Sequence, residues 1–179
     1  CEARSAESAY RPPIVTPKPK VSGVESATVV GAAGEEIHTD EFGRVRVHFH
    51  WDRESKMDDN SSCWIHVSQP WGGSGFGGTA LPRIGQEVIV DFLGGDPDRP
   101  IVLGGLYDGQ KTYPTALPES KTASGFRTSS VGGPGSSELF FEDAVVAARV
   151  LDLTLTSPTG TLYRGNVFTS GWSVTGGTA

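Results

Sequence analysis

Long apolar runs are missing from this chain, and none approaches the roughly 20 residues that a helix needs to span a bilayer. A basic surface is missing as well, because 15 Lys and Arg stand against 21 Asp and Glu, for a net charge of -6. Proteins that bind duplex nucleic acid neutralise phosphates with clustered cations, and the only small cluster here is Lys18 with Lys20. The composition therefore argues against a membrane-spanning protein and against a duplex-binding protein.

Cysteine is also scarce, with only Cys1 and Cys63 in 179 residues. Two cysteines do not make a disulfide framework, and the lack of a Cys-x-x-Cys pair excludes a thiolate zinc knuckle. We therefore expect free thiols in a reducing compartment. Because the chain begins with Cys rather than Met, we also expect it to be a processed protein or a fragment of a longer one.

Glycine and proline, by contrast, are abundant, with 24 and 12 residues. A chain so rich in turn-forming residues, with only short apolar runs, is typical of an all-β fold. Residues 1–20 carry several of the prolines, which favour an extended, polyproline-like backbone and exclude a central strand. We interpret residues 1–20 as a linker.

Alternation of apolar and polar residues predicts a strand most clearly at residues 43–51. One face of this strand consists of Val45, Val47, Phe49 and Trp51. The other face consists of Arg44, Arg46, His48 and His50. We expect the apolar face to be buried and the polar face to be exposed to solvent.

Four further strands are predicted at residues 24–30, 63–68, 87–93 and 101–107. Residues 87–93 are almost continuously apolar, which indicates burial on both faces or a position near an oligomer axis. Five short strands without helical periodicity predict a small closed barrel.

The rest of the chain has a different pattern. Residues 111–118 are loop-like, and residues 121–135 are rich in Ser, Thr and Gly. Short β-like segments follow at residues 138–143, 151–156, 161–163 and 172–175. The Ala- and Val-rich residues 144–151 fit either a strand or a helical turn.

Metal-binding candidates are few. His48 and His50 share one face of the predicted strand, and His66 is a possible third ligand from another strand. Surface histidines on a polar strand face are the favoured interpretation. Asp58, Asp59 and Asn60 resemble a calcium loop in composition, but they lack the EF-hand spacing and are interpreted as a solvated loop.

Catalytic candidates are equally weak. The glycine-rich residues 72–78 lead towards Pro82 and a strand, whereas a phosphate-binding loop leads into a helix, so a flexible loop is favoured. Cys63 has no histidine that the sequence places as its base, and no G-x-S-x-G motif occurs. A glycoside hydrolase would need two carboxylates in separate environments, and the candidates are Glu138, Glu142 and Asp143. We predict that the chain is not an enzyme and name no catalytic, cofactor-binding or metal-binding residue.

Several ordered blocks carry a family resemblance. They include Phe-His-Trp-Asp-Arg at 49–53, Val-Ser-Gln-Pro-Trp at 67–71 and Pro-Arg-Ile-Gly-Gln-Glu-Val at 82–88. Further blocks lie at 10–12, 16–19, 34–45, 61–65, 95–100 and 137–143. Together they resemble the VgrG family of type VI secretion spike proteins, whose OB-fold region is similar to that of the phage baseplate hub. After Asp143 the resemblance fades, because Ala-Val-Val-Ala-Ala at 144–148 replaces an expected polar stretch.

The resemblance implies a linker from an upstream hub-like domain at residues 1–20, an OB-fold domain at 21–110 and the β-rich start of a needle, or a divergent tail, at 111–179. It also implies a homotrimer that sits on the Hcp tube and carries a PAAR-type tip and effectors. Such a spike starts in the bacterial cytoplasm and is then translocated into a target cell, so that it contacts the target membrane only mechanically.

Two alternatives remain open at this point. An OB-fold module can bind an oligonucleotide or oligosaccharide through aromatic residues, and the candidates are Trp51, Trp64, Trp71 and Phe76. A net charge of -6 does not supply the basic groove that nucleic acid needs, so we expect no nucleic-acid partner. An envelope-degrading enzyme is the other alternative, although the chain has no room for a separate catalytic domain.

Overall fold

The computed structural model describes residues 5, 7 and 9–144, together with the backbone of three later strands at 150–157, 160–168 and 171–176. In these ranges the chain is all-β, as predicted, with one short 3-10 turn at Leu93–Gly95. No helix in the described part of the chain is long and apolar enough to cross a membrane.

Five strands form the first sheet. They are β1 (Glu25–Val30), β2 (Arg46–Phe49), β3 (His66–Val67), β4 (Glu87–Phe92) and β5 (Pro100–Leu106). Their order is β2-β1-β4-β5-β3, and all pairs are antiparallel except the parallel pair of β3 and β5. An antiparallel bridge between Val45 and Ile65 joins the two ends of the sheet. The predicted closed barrel is therefore confirmed.

The core of the barrel is built mainly from β-branched side chains. The largest fully buried residues are Ile65, Val29, Val45, Val47, Val88, Val90 and Val102. β-branched residues pack well on a pleated surface, and each fully buried side chain of this size stabilises the fold by about 1.5–3 kcal/mol as an upper bound. The barrel thus fills its interior with its own side chains.

Two expectations for the 43–51 segment are wrong. Trp51 is 62% exposed, and His48 is only 9% exposed. The strand ends at Phe49, where the amide of Asp52 donates to the Phe49 carbonyl at 3.0 Å in a tight turn, so the alternation stops before Trp51. The Trp51 ring stacks on the outside of the barrel against Phe49, with 5.0 Å between the ring centroids.

The burial of β4 is one-sided within this chain. Val88, Val90 and Phe92 are buried, whereas the residues between them are only partly buried. Burial of β4 on both faces is therefore not found in a single chain, and a position near an oligomer axis stays a prediction. The predicted strand at 63–68 is also shorter than expected, since only His66–Val67 is a regular strand.

The second sheet is an antiparallel meander in the order β10-β9-β8-β7-β6. Its strands are β6 (Ala123–Arg127), β7 (Ser137–Glu142), β8 (Val150–Ser157), β9 (Gly160–Phe168) and β10 (Gly171–Gly176). The sequence did not predict β6, and it underestimated the lengths of β9 and β10. A helical turn was one of two possibilities for residues 144–151, and it is wrong for Val150 and Leu151, which begin β8. Residues 145–149 lie outside the described part of the chain.

The segment before the barrel is held against it. Lys18 Nζ lies 2.6 Å from an Asp96 carboxylate oxygen and 2.7 Å from one of Asp98. The amide of Val21 donates to the carbonyl of Gly95 at 2.9 Å. The last residues of the predicted linker therefore contact the turn between β4 and β5.

Candidate functional site

The three candidate histidines occupy different environments. His48 is buried in the barrel wall, His50 places Nε2 3.1 Å from a Glu87 carboxylate oxygen, and His66 is exposed on β3. Within the residues that the structure describes, no group of three or more His, Cys, Asp or Glu side chains is arranged to hold a metal ion. The structure therefore does not bring the candidates together as a metal centre.

In the loop at residues 58–60, the oxygens of Asp58 and Asp59 accept hydrogen bonds from the protein itself. A carboxylate oxygen of Asp58 accepts the amide of Asn60 at 2.9 Å, and one of Asp59 accepts the side-chain amide of Asn60 at 3.3 Å. The Asp59 carbonyl accepts a hydrogen bond from the Arg46 guanidinium. An Asp side chain that accepts the amide two residues on is a common way to stabilise a turn, so this arrangement explains the loop without a bound cation.

The glycine-rich loop is a small hairpin that leads to β4. Gly72 and Gly77 form an antiparallel bridge, and the amide of Gly78 donates to the Trp71 carbonyl at 2.9 Å. A Cβ on Gly77 would lie 2.4 Å from that carbonyl oxygen, so only glycine fits there. The rings of Trp71 and Phe76 meet edge to face at 5.9 Å, with both side chains largely exposed.

Two surface grooves of the described residues differ in their titratable groups. A groove of about 480 Å³ beside β5 is lined by neutral residues such as Leu81 and Leu103. A groove of about 440 Å³ contains Asp108, whose pKa is held below its usual value by hydrogen bonds from the amides of Lys111 and Gln110. Neither groove presents the pair of differently tuned groups that acid–base catalysis uses.

The candidate carboxylates on β7 are engaged in local contacts. A Glu138 carboxylate oxygen lies 2.6 Å from Arg127 Nε. The pKa of Glu142 is lowered, first by a hydrogen bond from the Thr122 hydroxyl and then by the Ala144 amide. Asp143 is exposed at the end of the strand. A lowered pKa is the opposite of what a general acid needs at neutral pH.

Cys63 and Trp64 precede β3. Cys63 is an exposed free thiol, and Cys1 lies outside the described residues. Trp64 is half-buried, stacks on His38 at 5.0 Å and receives the Arg46 guanidinium over its ring at 4.6 Å. Trp64 thus contacts two other parts of the barrel, whereas Trp51 covers Phe49, and of the four aromatic candidates Trp71 and Phe76 form an exposed pair.

One set of contacts, between the barrel and the β6–β7 hairpin, was not predicted from the sequence. A Glu36 carboxylate oxygen accepts the amide of Gly132 at 2.8 Å, and Arg83 donates to the Ser129 carbonyl at 2.5 Å. Glu36 and Arg83 also lie 3.5 Å apart. The Glu36–Gly132 contact spans 96 positions of sequence, so no local pattern signals it.

Comparison with protein families matches residues 27–107 to the type VI secretion system/phage-baseplate injector OB domain. The matched range includes all five strands of the barrel except the first two residues of β1. The family match and the observed topology therefore agree on an OB-fold barrel.

Individual relatives match more of the chain than the OB domain alone. The chain is 53% identical over 135 residues to the type VI secretion system spike protein VgrG4b of Pseudomonas aeruginosa, which covers 75% of this chain and 17% of that relative. It is 52% identical over 134 residues to the spike protein VgrG3 of Vibrio cholerae, with 75% of this chain and 13% of the relative covered.

A third relative carries a different name. The chain is 56% identical over 127 residues to the actin cross-linking toxin VgrG1 of Vibrio cholerae, with 71% of this chain and 12% of the relative covered. The chain thus spans less than a fifth of the length of these relatives. Through its OB domain and the segments beside it, the chain belongs to the VgrG family of type VI secretion system spike proteins.

Proposed function

We propose that this chain is a structural part of a type VI secretion puncturing spike, in which residues 21–110 form a collar between a hub and a needle. Residues 1–20 lead in from the hub, and residues 111–179 begin the needle. The observation that carries the proposal is a closed barrel with a self-filled valine core inside the injector OB domain of the family.

A collar has to carry axial load without deforming. Closure by the Val45–Ile65 bridge leaves the barrel without a free sheet edge at that point, and its close-packed interior has low compressibility. Lys18 and Val21 attach the lead-in segment to the turn at 94–98, which supports transfer of load from the hub side. These features suit a rigid connector.

The needle part is proposed to assemble as a homotrimer. No residue of β6 or β7 is fully buried, and Phe126 is 75% exposed while Phe141 is 47% exposed. Exposed aromatic side chains on a sheet need a covering surface, and symmetric copies of the same chain are the commonest source of one. This exposure supports the proposal that residues 111–179, called the extension below, pack against other copies of the same chain.

The assembled spike is further proposed to dock on the Hcp tube, to carry a PAAR-type tip and effectors, and to pass from the bacterial cytoplasm into a target cell. It would contact the target membrane mechanically. We propose no catalytic, cofactor-binding or metal-binding residue in this chain. The toxin name of one relative belongs to a protein of which this chain matches only 12%, and no such activity is carried over.

A chimera tests the proposal. Residues 21–110 would replace the aligned segment of Pseudomonas aeruginosa VgrG4b, and the release of Hcp and the sedimentation of the purified spike would be measured. We expect a trimer and Hcp release close to that of the unmodified spike. The matched control carries Val88→Asp, which should abolish both. A chimera that trimerises but releases no Hcp would contradict the collar function.

A further inference from the structure

The β6–β7 hairpin is attached to the barrel at two points on a single turn. Glu36 accepts the Gly132 amide at 2.8 Å, and Arg83 donates to the Ser129 carbonyl at 2.5 Å. The two barrel side chains lie 3.5 Å apart, so that each also supports its neighbour. One attachment would act as a pivot, whereas two attachments three residues apart oppose rotation of the hairpin.

The barrel side of this contact is held in place by backbone hydrogen bonds. The Ile84 amide donates to the Glu36 carbonyl at 3.0 Å, which ties the loop before β2 to the loop before β4. The Gln86 amide donates to the Arg83 carbonyl at 3.0 Å and closes a β-turn over residues 83–86. Gly85 is the third residue of this turn and has a φ of 82°. Glu36 and Arg83 therefore start from fixed backbone positions, which lowers the entropy lost when their side chains bind the hairpin.

The hairpin side is equally ordered. The Thr128 amide donates to the Ser137 carbonyl at 2.8 Å, and the Ser130 amide donates to the Gly135 carbonyl at 2.7 Å. Gly132 adopts a φ of 68°, which glycine takes without strain. Both contacts use backbone groups of the turn, so the barrel recognises the shape of the turn and not its side chains.

We infer that Glu36 and Arg83 form a two-point latch that fixes the orientation of the extension on the barrel. Both contacts are charge-assisted hydrogen bonds, with the Arg83 side chain 28% exposed and the Glu36 side chain 47% exposed. The latch itself is a property of the fold. Its role in the spike rests on the proposed function: the latch passes torque and axial load from the collar to the needle.

Amide hydrogen exchange in the full chain tests the latch at Gly132. Glu36→Ala removes the acceptor and is expected to speed exchange of the Gly132 amide by about tenfold or more. Exchange of the Val45 and Ile65 amides, which bond to each other's carbonyls across the barrel closure, is expected to stay unchanged. Unchanged exchange at Gly132 in a variant whose barrel remains protected would overturn the latch.

Two further variants separate a latch from general loss of structure. Glu41→Ala removes an exposed carboxylate from the same loop and should leave exchange at Gly132 as in the original chain. Arg83→Met removes the second point, and residual dipolar couplings should then require different alignment tensors for the barrel and the β6–β7 hairpin. A single tensor that fits both parts of Arg83→Met and of Glu36→Ala would contradict the inference.

The mechanical role has its own readout. In the VgrG4b chimera extended to residue 144, the latch variants are expected to lower Hcp release at least about threefold while the spike still sediments as a trimer. Full release from variants with accelerated Gly132 exchange would refute the mechanical role and leave the collar proposal standing. Failure of the chimera without substitutions would refute the collar and leave the latch as measured by exchange.

Discussion

The barrel and the extension are both all-β, but they differ in where their side chains find contacts. Seven large side chains of the barrel are less than 2% exposed, whereas β6 and β7 contain no fully buried residue. The barrel sheet is joined end to end by the Val45–Ile65 bridge, while β6 and β10 are the outer strands of the meander. Closure therefore lets the barrel build its own core, whereas the residues of β6 and β7 stay partly buried or exposed within this chain.

The largest expected effect on stability comes from placing one charged residue in each of the two regions. Val88→Asp puts an unpaired carboxylate into the barrel core and is expected to cost more than about 4 kcal/mol, enough to unfold a marginal domain. Phe126→Asp changes an exposed position of β6 and should shift stability by about 0.5 kcal/mol or less. Urea denaturation of each purified chain gives both values. Equal destabilisation by the two substitutions would remove the distinction between the regions.

A second pair of substitutions compares close backbone contacts. In the barrel, a Cβ on Gly31 would lie 2.3 Å from the Cβ of His38 and 2.7 Å from Cδ1 of Ile84. Gly31→Ala is therefore expected to destabilise the barrel by about 1–3 kcal/mol through overpacking. Gly104→Ala is the matched control, because no atom lies within 4 Å of its Cβ position.

In the extension, a Cβ on Gly125 would lie close to the Leu139 carbonyl oxygen. Gly125→Ala is expected to separate β6 from β7 and to speed exchange of the amides between them, while the urea midpoint of the barrel stays unchanged. A joint loss of both regions in Gly125→Ala would show that the extension and the barrel unfold as one unit.

Sequence reasoning worked best where burial alternates along a strand. Val45, Val47 and Phe49 are buried as their alternation predicted, and β1 lies within the predicted 24–30 segment. It failed at Trp51, because a turn after Phe49 interrupts the alternation and no residue in 43–51 signals that turn. β6 was missed for a different reason: its sequence, Ala-Ser-Gly-Phe-Arg, has neither a β-branched run nor a buried face.

The blocks shared with the family located the barrel, but contacts between distant parts of the chain lay beyond local patterns. Glu36 and Arg83 are 47 positions apart and meet a turn that lies further along the chain. Their side chains carry no sequence signal that distinguishes them from other surface charges. Only the barrel topology, which brings the loops before β2 and β4 together at Ile84, places them side by side.

The smallest expected effect concerns the lead-in segment, where Lys18 forms salt bridges with Asp96 and Asp98. The hydrogen bond from Lys18 is the main cause that lowers the pKa of Asp96 below 3.8, and the same contact raises the pKa of Lys18 above 10.5. A lowered carboxyl pKa means that the contact contributes fully above about pH 4 and is lost as the pH falls through the lowered value. A raised ammonium pKa means that it is lost again as the pH rises through the pKa of Lys18.

Lys18→Met should therefore raise the pKa of Asp96 towards its ordinary value, as measured by carboxyl carbon NMR during an acid titration. Because the groups are exposed, the stability of the barrel should change little. Lys20→Met serves as the control, since the salt bridges to Asp96 and Asp98 come from Lys18. An Asp96 pKa that responds equally to both substitutions would mean that general charge, and not the Lys18 contact, sets it.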